Sequence, residues 1–343
     1  MLDDREKIEK IIHNKNVLFV TYKDVDYIRN SQEINLIKES CRELKILSAN
    51  AKLTWLRYLL GIIKIFFQFL LLRKNKFNII FLGYLPQFSL FLPTFLFKGK
   101  IIVIDFFISL YDALVNDRKI FSQNSILAKL AKYLDKRALK KADYVIVDTR
   151  ADKDFFIKEL GLDRKKSIVI YLEANKKIYF PHRVERPKEL MNKFIVLYFG
   201  TIIPSQGIEI ICKAAQILEN QRGIFFIIIG PVNNYLLKEY SNLNNIHFIR
   251  WLDKKKLSDY IAMSDLCLAG HFHGTIEKGK RVIPGKAFIF QSMEMPMILG
   301  DNPANREVFS ENDKNIYFVK MGSEDELADK IKKIYEKKTI TQI

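Results

Sequence analysis

The feature that most constrains this chain is a series of short, unbroken apolar segments, recurring along its whole length between helix-length stretches. VLFV begins at 17, LKIL at 44, NIIFLG at 78, KIIVID at 100, DYVIVDT at 143 and SIVIYL at 167. None alternates apolar with polar, as a strand half-exposed to water does. Apart from Lys45 in LKIL they are apolar on both sides, as the strands of a parallel sheet are when helices cover both faces. A polar stretch with two prolines, FPHRVERPKELMNK, interrupts the series at 180–193. The pattern then restarts with FIVLYFG at 194, IFFIIIG at 224, IHFIRW at 246, LCLAG at 266, PMILG at 296 and IYFVK at 316. Two successive βα arrays of similar length predict an α/β fold of two Rossmann-like domains facing each other across a cleft, with ligands at the carboxyl ends of the strands. The expected boundaries are a first domain over 1–180, a linker over 181–193, a second domain over 194–325, and a C-terminal helix and tail over 326–343.

Charge narrows the partners. Lysine and arginine number 56 against 39 acids, a net charge of +17, which favours anionic partners or a solvated cationic surface. No nucleic-acid module is recognisable, so nucleic acid is not an expected partner. The three cysteines, Cys41, Cys212 and Cys267, are far apart with no CxxC spacing, which speaks against a disulfide framework or zinc site. The opening MLDDREKIEKIIHNK is charged and helical rather than a secretory leader, so the expected location is cytoplasmic. WLRYLLGIIKIFFQFLLL, 55–72, approaches a membrane span in length, but Arg57, Gly61, Lys64 and Gln68 form one narrow stripe on it. It is therefore amphipathic. Trp55, Leu59 and Phe66 on its apolar face, with Arg73 and Lys74 just beyond it, suit an anionic membrane surface, peripheral on the inner face of the cell membrane. A core helix packed on a sheet is the other reading.

The second array carries the clearest ligand signals. In YFGTIIPSQGIEIICKAA, 198–215, Gly200 and Gly207 lie in a strand–turn–helix, where backbone amides can meet an anion at a helix N-terminus. This is neither GxGxxG nor a Walker A loop, so dinucleotide and triphosphate sites have little support. EKGKRVIPGK adds Lys278, Lys280, Arg281 and Lys286, and AGHFHGTIE adds His271 and His273 at the end of a strand. Asp24 and Asp26 have a D-x-D spacing without supporting context, and no Ser/His/Asp elbow or HxxxH pair is present.

From Tyr198 to Pro303 the order FGT, IP, QGIE, IIG, NIHFIRWL, YIAMSDLCL, VIPGKAF and GDNPA resembles the donor domain of GT-B glycosyltransferases of the GT4 family. IIVIDFFISLYDALVNDRKIF and LDKRALKKADYVIVDTRADKDFF resemble the first half of a bacterial subgroup that builds surface glycans. The resemblance implies a GT-B fold, with an acceptor-side first domain and a nucleotide-sugar donor domain. It also implies sugar transfer to a lipid-linked or growing glycan, usually with retention, and with no metal or other cofactor.

The family's usual arginine and lysine after the first glycine correspond here to Thr201 and Gln206, and its two glutamates to Arg281 and Ile289. The expected donor-binding set is therefore Gly200, Thr201, Gln206, Gly207, Lys280, Arg281, Lys286 and Asp301, with the cations replacing those that are missing. Asp105, at the end of KIIVID, and His273 are the catalytic candidates, and Tyr111, Asp112 and Arg118 the acceptor-side ones. The missing charges leave two functions open: an active transferase, or a non-catalytic GT-B partner of a membrane-associated glycosyltransferase.

Overall fold

All twelve apolar runs form strands, in two sheets of six. The computed structural model describes residues 4–49, 55–72, 76–89 and 97–341, with residues 55–59 and 341 described in backbone only. It divides into two units, 1–173 and 174–343. The stretch expected as a linker lies within the second unit. There Arg186 donates to Asp265 Oδ1 at 2.8 Å, and the second oxygen of that carboxylate accepts from Ile195 N at 2.7 Å.

In the first unit the strands are β1 (Asn16–Thr21), β2 (Glu43–Ser48), β3 (Ile79–Leu82), β4 (Ile101–Asp105), β5 (Tyr144–Val147) and β6 (Ser167–Val169). All pair in parallel, in the order β2-β1-β3-β4-β5-β6. The helices are α1 (Arg5–Ile12), α2 (Ile28–Ser40), α3 (Trp55–Leu71), α4 (Pro86–Ser89), α5 (Ile126–Lys141) and α6 (Arg150–Phe155). From β1 the chain moves one way to β2, then the other way through every later strand. Because parallel crossovers are right-handed, α2 must cover one face of the sheet and α3 to α6 the other.

The side chains agree. Val17, Phe19, Ile79, Phe81 and Val103 form a core with Ile8 and Ile12 of α1 and Ile34 and Ile37 of α2. The intervening positions point the opposite way, as the two-residue strand period requires. Tyr22, in step with Leu18 and Val20, meets Phe88 of α4 edge-on and accepts a hydrogen bond from Ser89 Oγ.

The second unit has β7 (Phe194–Phe199), β8 (Ile224–Ile229), β9 (Ile246–Ile249), β10 (Leu266–Gly270), β11 (Met297–Gly300) and β12 (Ile316–Val319), in the order β12-β11-β10-β7-β8-β9. Its helices are α7 (Ile208–Ile217), α8 (Asn234–Tyr240), α9 (Lys254–Ala262), α10 (Glu277–Arg281), α11 (Gly285–Ser292), α12 (Asn305–Val308) and α13 (Glu324–Thr341). Leu327, Ala328 and Ile331 of α13 join the core built on Ile208, Ile211 and Cys212 of α7. The strand order reverses between β7 and β10. The helices that follow those two strands therefore lie on opposite faces, which places a crevice at the strands' carboxyl ends.

Candidate functional site

The crevice of the second unit is lined from both sides of that reversal. The loop after β7 ends in Gln206 and Gly207, and the loop after β10 runs from His271 to Ile276. Their backbones meet, with Phe272 N donating to Gln206 O at 3.2 Å. Gly207 has φ +68°, and a Cβ there would lie 2.6 Å from His273 N, so glycine is required by both conformation and space.

Lys286, in the first turn of α11, points into this junction. Its Nζ donates to Gln206 Oε1 at 2.5 Å and lies 3.9 Å from the centroid of the Tyr198 ring. A Cβ on Gly200 would lie 3.3 Å from the same amine, so the glycine leaves room for it. The residue is 7% exposed, and no carboxylate pairs with it among the described residues. Burial holds its amine well below the ordinary lysine range, because the charged form has lost water and gained only a carbonyl oxygen and a ring face. The helix end adds positive character at the same point.

His271 lies beside it, buried, with Nδ1 lacking a hydrogen-bond partner. Its pKa is pushed down to about 3, first by burial and then by the charges of Lys286 and Lys278, so the ring is neutral at ordinary pH. The more prominent sequence candidate, His273, is half-exposed, and its Nδ1 faces Thr275 N at 3.3 Å.

The structure thus brings together Gly200, Gln206, Gly207 and Lys286 of the expected donor set. Others have surroundings of their own. Lys280 donates to Glu277 Oε1 at 2.6 Å on the surface of α10. Asp301 is held by Arg306 through bonds of 2.8 and 3.0 Å, which keep its carboxyl below the usual range. Thr201 is exposed, Arg281 is half-buried, and Ile289 is sealed at 6% exposure in the face of α11 that packs inward. Two asparagines the sequence did not single out shape the turn after β11. Asn302 Oδ1 accepts from Asn305 N, and the amides of both donate to Gly300 O.

In the first unit the candidates have structural partners. Asp105 is buried, and its two carboxylate oxygens receive Arg29 at 3.1 to 3.3 Å. Arg29 also donates to Ile170 O at 2.8 Å and lies 3.7 Å from Glu33. Burial, and after it the Asp105 charge, raises the Glu33 carboxyl well above its ordinary range.

Asp112 is buried in the π-helical turn Asp112–Asp117 and accepts from Asn116 Nδ2. Tyr111 N donates to Asp135, and Arg118 is exposed where that turn ends. Asp135 itself was missed. It is the one acid of α5 and accepts from Gln87, Ser109, Leu110 N and Tyr111 N at 2.7 to 3.0 Å, which fixes the loop that bears the acceptor-side candidates. Its isolation among lysines and arginines was the available signal.

For α3, Arg73 and Lys74 lie outside the described residues, as do the side chains of Trp55 and Leu59. Phe66 is half-buried. Gly61, part of the expected polar stripe, faces inward with Ile65 and Phe69, while Leu60, Ile63, Phe67, Leu70 and Leu71 are exposed. Among the described residues no helix is long and apolar enough to cross a membrane, and no group of three His, Cys, Asp or Glu side chains is placed to hold a metal ion.

Residues 193–337 match the sequence model of the family described as Glycosyl transferases group 1. A search of curated protein sequences returns no match. Solved structures share the fold over nearly the whole chain. Sucrose-phosphate synthase from Thermosynechococcus elongatus superposes with a TM-score of 0.69 at 13% identity, covering 94% of this chain and 90% of its own. An E. coli trehalose-6-phosphate protein bound with UDP-2-fluoro glucose gives 0.65 at 13%, covering 93% and 91%. Anabaena HepE in complex with UDP gives 0.62 at 15%, covering 94% and 90%. Residues 193–337 thus match the glycosyltransferase group 1 model, within a chain whose two α/β units share the GT-B fold of these structures.

Proposed function

We propose that this protein transfers a sugar from a nucleotide-sugar donor, bound in the crevice between β7 and β10, to a lipid-linked or growing surface glycan at an anionic membrane face. The observation that carries the reading is the Lys286 amine, buried without a carboxylate at the mouth of α11, where a diphosphate would supply the missing charge. UDP in HepE and UDP-2-fluoro glucose in the E. coli protein are ligands of that chemistry in structures of the same fold.

On this reading Lys286 and the first amides of α11 hold the diphosphate, and Gly200 keeps its backbone clear of it. The bond from the anomeric carbon to the phosphate oxygen breaks as the bond to the acceptor oxygen forms on the same face. The acceptor proton passes to the departing phosphate. No enzyme carboxylate is then required, which agrees with the engagement of Asp105 by Arg29. No metal has a role in this scheme.

Thermal shift against a panel of nucleoside diphosphates tests the reading, together with donor hydrolysis by Lys286→Ala. Stabilisation by one of them, and slower hydrolysis in the variant, is the expected result. No stabilisation by any nucleotide, with hydrolysis unaltered, refutes it. The sealing of Ile289, where the resembling enzymes carry a glutamate, favours a second reading of a donor-binding partner protein without turnover. Nucleotide binding with no donor consumption, even with acceptor present, would select that one.

A further inference from the structure

The reading above uses α3 alone for membrane contact, but a second helix carries the same kind of surface. Ile126, Leu127, Leu130 and Tyr133 of α5 are exposed, Ile126 to 82%. They fall at helical spacing on one side, while Ala128, Ala131, Asp135, Ala138 and Leu139 are buried on the other. The alanines bring the helix close to its neighbours and Asp135 pins it, so the outward stripe is a fixed surface. Ile120, on the loop that leads into α5, is exposed as well.

Charge sorts with this stripe. The only acid of α5 is the buried Asp135, whereas Lys129, Lys136 and Lys140 are exposed, as are Arg118 and Lys119 just before the helix. On α3 the outward face carries Phe67 at 58% and Leu71 at 86% exposure beside the exposed Lys64, and the helix has no acid. Both helices lie on the same face of the first sheet, because β2 to β3 and β4 to β5 are crossovers in the same direction and of the same hand. A large exposed apolar face is the exception on a soluble domain, and neither helix carries an exposed acid among the described residues, so their cations, apart from Lys132, which pairs with Glu159, complement an anionic lipid surface.

We infer that α3 and α5 form one docking plane on the first unit and that its occupant is an anionic bilayer. The inference rests on the membrane reading of α3 and extends it to α5. The stripe on α5 begins where the loop bearing Tyr111 and Arg118 ends, so an acceptor head group standing at the bilayer surface arrives beside that loop.

The test is co-sedimentation of the full chain with vesicles of phosphatidylglycerol and phosphatidylcholine in equal parts, and with phosphatidylcholine alone. The wild type binds the mixed vesicles. Ile126→Ser with Leu130→Ser and Tyr133→Ser, and separately Phe67→Ser with Leu71→Ser, each weaken binding by about ten-fold or more, since each removes apolar area from the contact. Lys129→Gln with Lys136→Gln weakens binding to the mixed vesicles only, and serves as the second α5 variant should the triple change disturb folding. Undiminished binding by both α5 variants while the α3 variant fails overturns the inference and leaves the α3 reading in place. A wild type that ignores both vesicles overturns both. A concentration-dependent dimer abolished by the α5 changes, without vesicle binding, makes the occupant a second copy and overturns the inference.

Discussion

The two units bury charge in opposite ways. In the first, Arg29 is enclosed by Asp105, Glu33 and the carbonyl of Ile170, and Asp135 accepts four hydrogen bonds. In the second, Lys286 is equally enclosed but has an amide oxygen and an aromatic ring as neighbours, and the adjoining His271 keeps an unused nitrogen. The first arrangement supplies its cation with carboxylates of its own, although both Glu33 oxygens lack a hydrogen-bond partner. The second leaves a cation whose desolvation is uncompensated, and such a cost is tolerable where a bound anion repays it. Burial alone therefore does not mark a site; the lack of a protein counter-charge does.

Removing the central cation of the first cluster has the largest expected effect. Arg29→Met leaves Asp105 without its partner in the interior and should destabilise the first unit by about 3–5 kcal/mol, the usual cost of stranding one member of a buried pair. Hydrogen exchange resolved by segment checks this, with the strands of the first sheet losing protection and those of the second unchanged.

Lys286→Met is expected to behave in the opposite sense. Deleting an uncompensated buried amine should raise the ligand-free stability of the second unit, or leave it unaltered, by about 0–3 kcal/mol, while abolishing any stabilisation by nucleoside diphosphates. If Lys286→Met instead loosens its unit as severely as Arg29→Met loosens the other, the contrast between the clusters fails.

What could be read from the sequence follows the same division. The inner strands were legible because a parallel strand buried on both faces must be apolar at nearly every position, and the edge strands β2 and β9, with exposed Lys45 and His247, kept enough of the pattern to be read with them. Gly200, Gly207 and Lys286 were legible as members of one site because strand, turn and helix lie close in sequence or follow an ordered motif. Arg29 and Asp105 are 76 residues apart, and nothing local announces that one neutralises the other. Asp105 therefore read as a free carboxylate at a strand end.

The orientation of α3 was obscure for a different reason. With apolar residues around most of its circumference, periodicity locates the polar stripe but not the side that packs, and the small Gly61 proved to face inward with Ile65 and Phe69. His271 and His273 stand two residues apart on one loop, so composition did not separate the buried ring from the half-exposed one.

The remaining tests of the contrast are titrations. His271 has a folded pKa of about 3, below the ordinary histidine value near 6.5. The unfolded chain therefore binds more protons between those values, and stability falls as pH drops through the window. Between pH 7.5 and 5.5 the loss amounts to about 1 kcal/mol. His271→Asn should remove it, so the stability of the variant relative to the wild type, followed by urea unfolding of the second unit, must rise as the solution is acidified.

Glu33 has the opposite sign and the smallest expected effect. Its folded pKa is raised, so the folded state binds the extra proton, and the contribution to stability is complete below the ordinary glutamate value and lost as pH rises through the folded one. Glu33→Gln keeps an uncharged polar group of nearly the same shape and does not titrate. It should match the wild type at acid pH, within about 0.5 kcal/mol, and gain on it as pH rises, with the gain confined to the first unit. A variant weaker at every pH would mean that Glu33 works as a charged partner of Arg29. The cluster would then hold two carboxylates against one guanidinium, and the first unit, like the second, would carry an uncompensated buried charge.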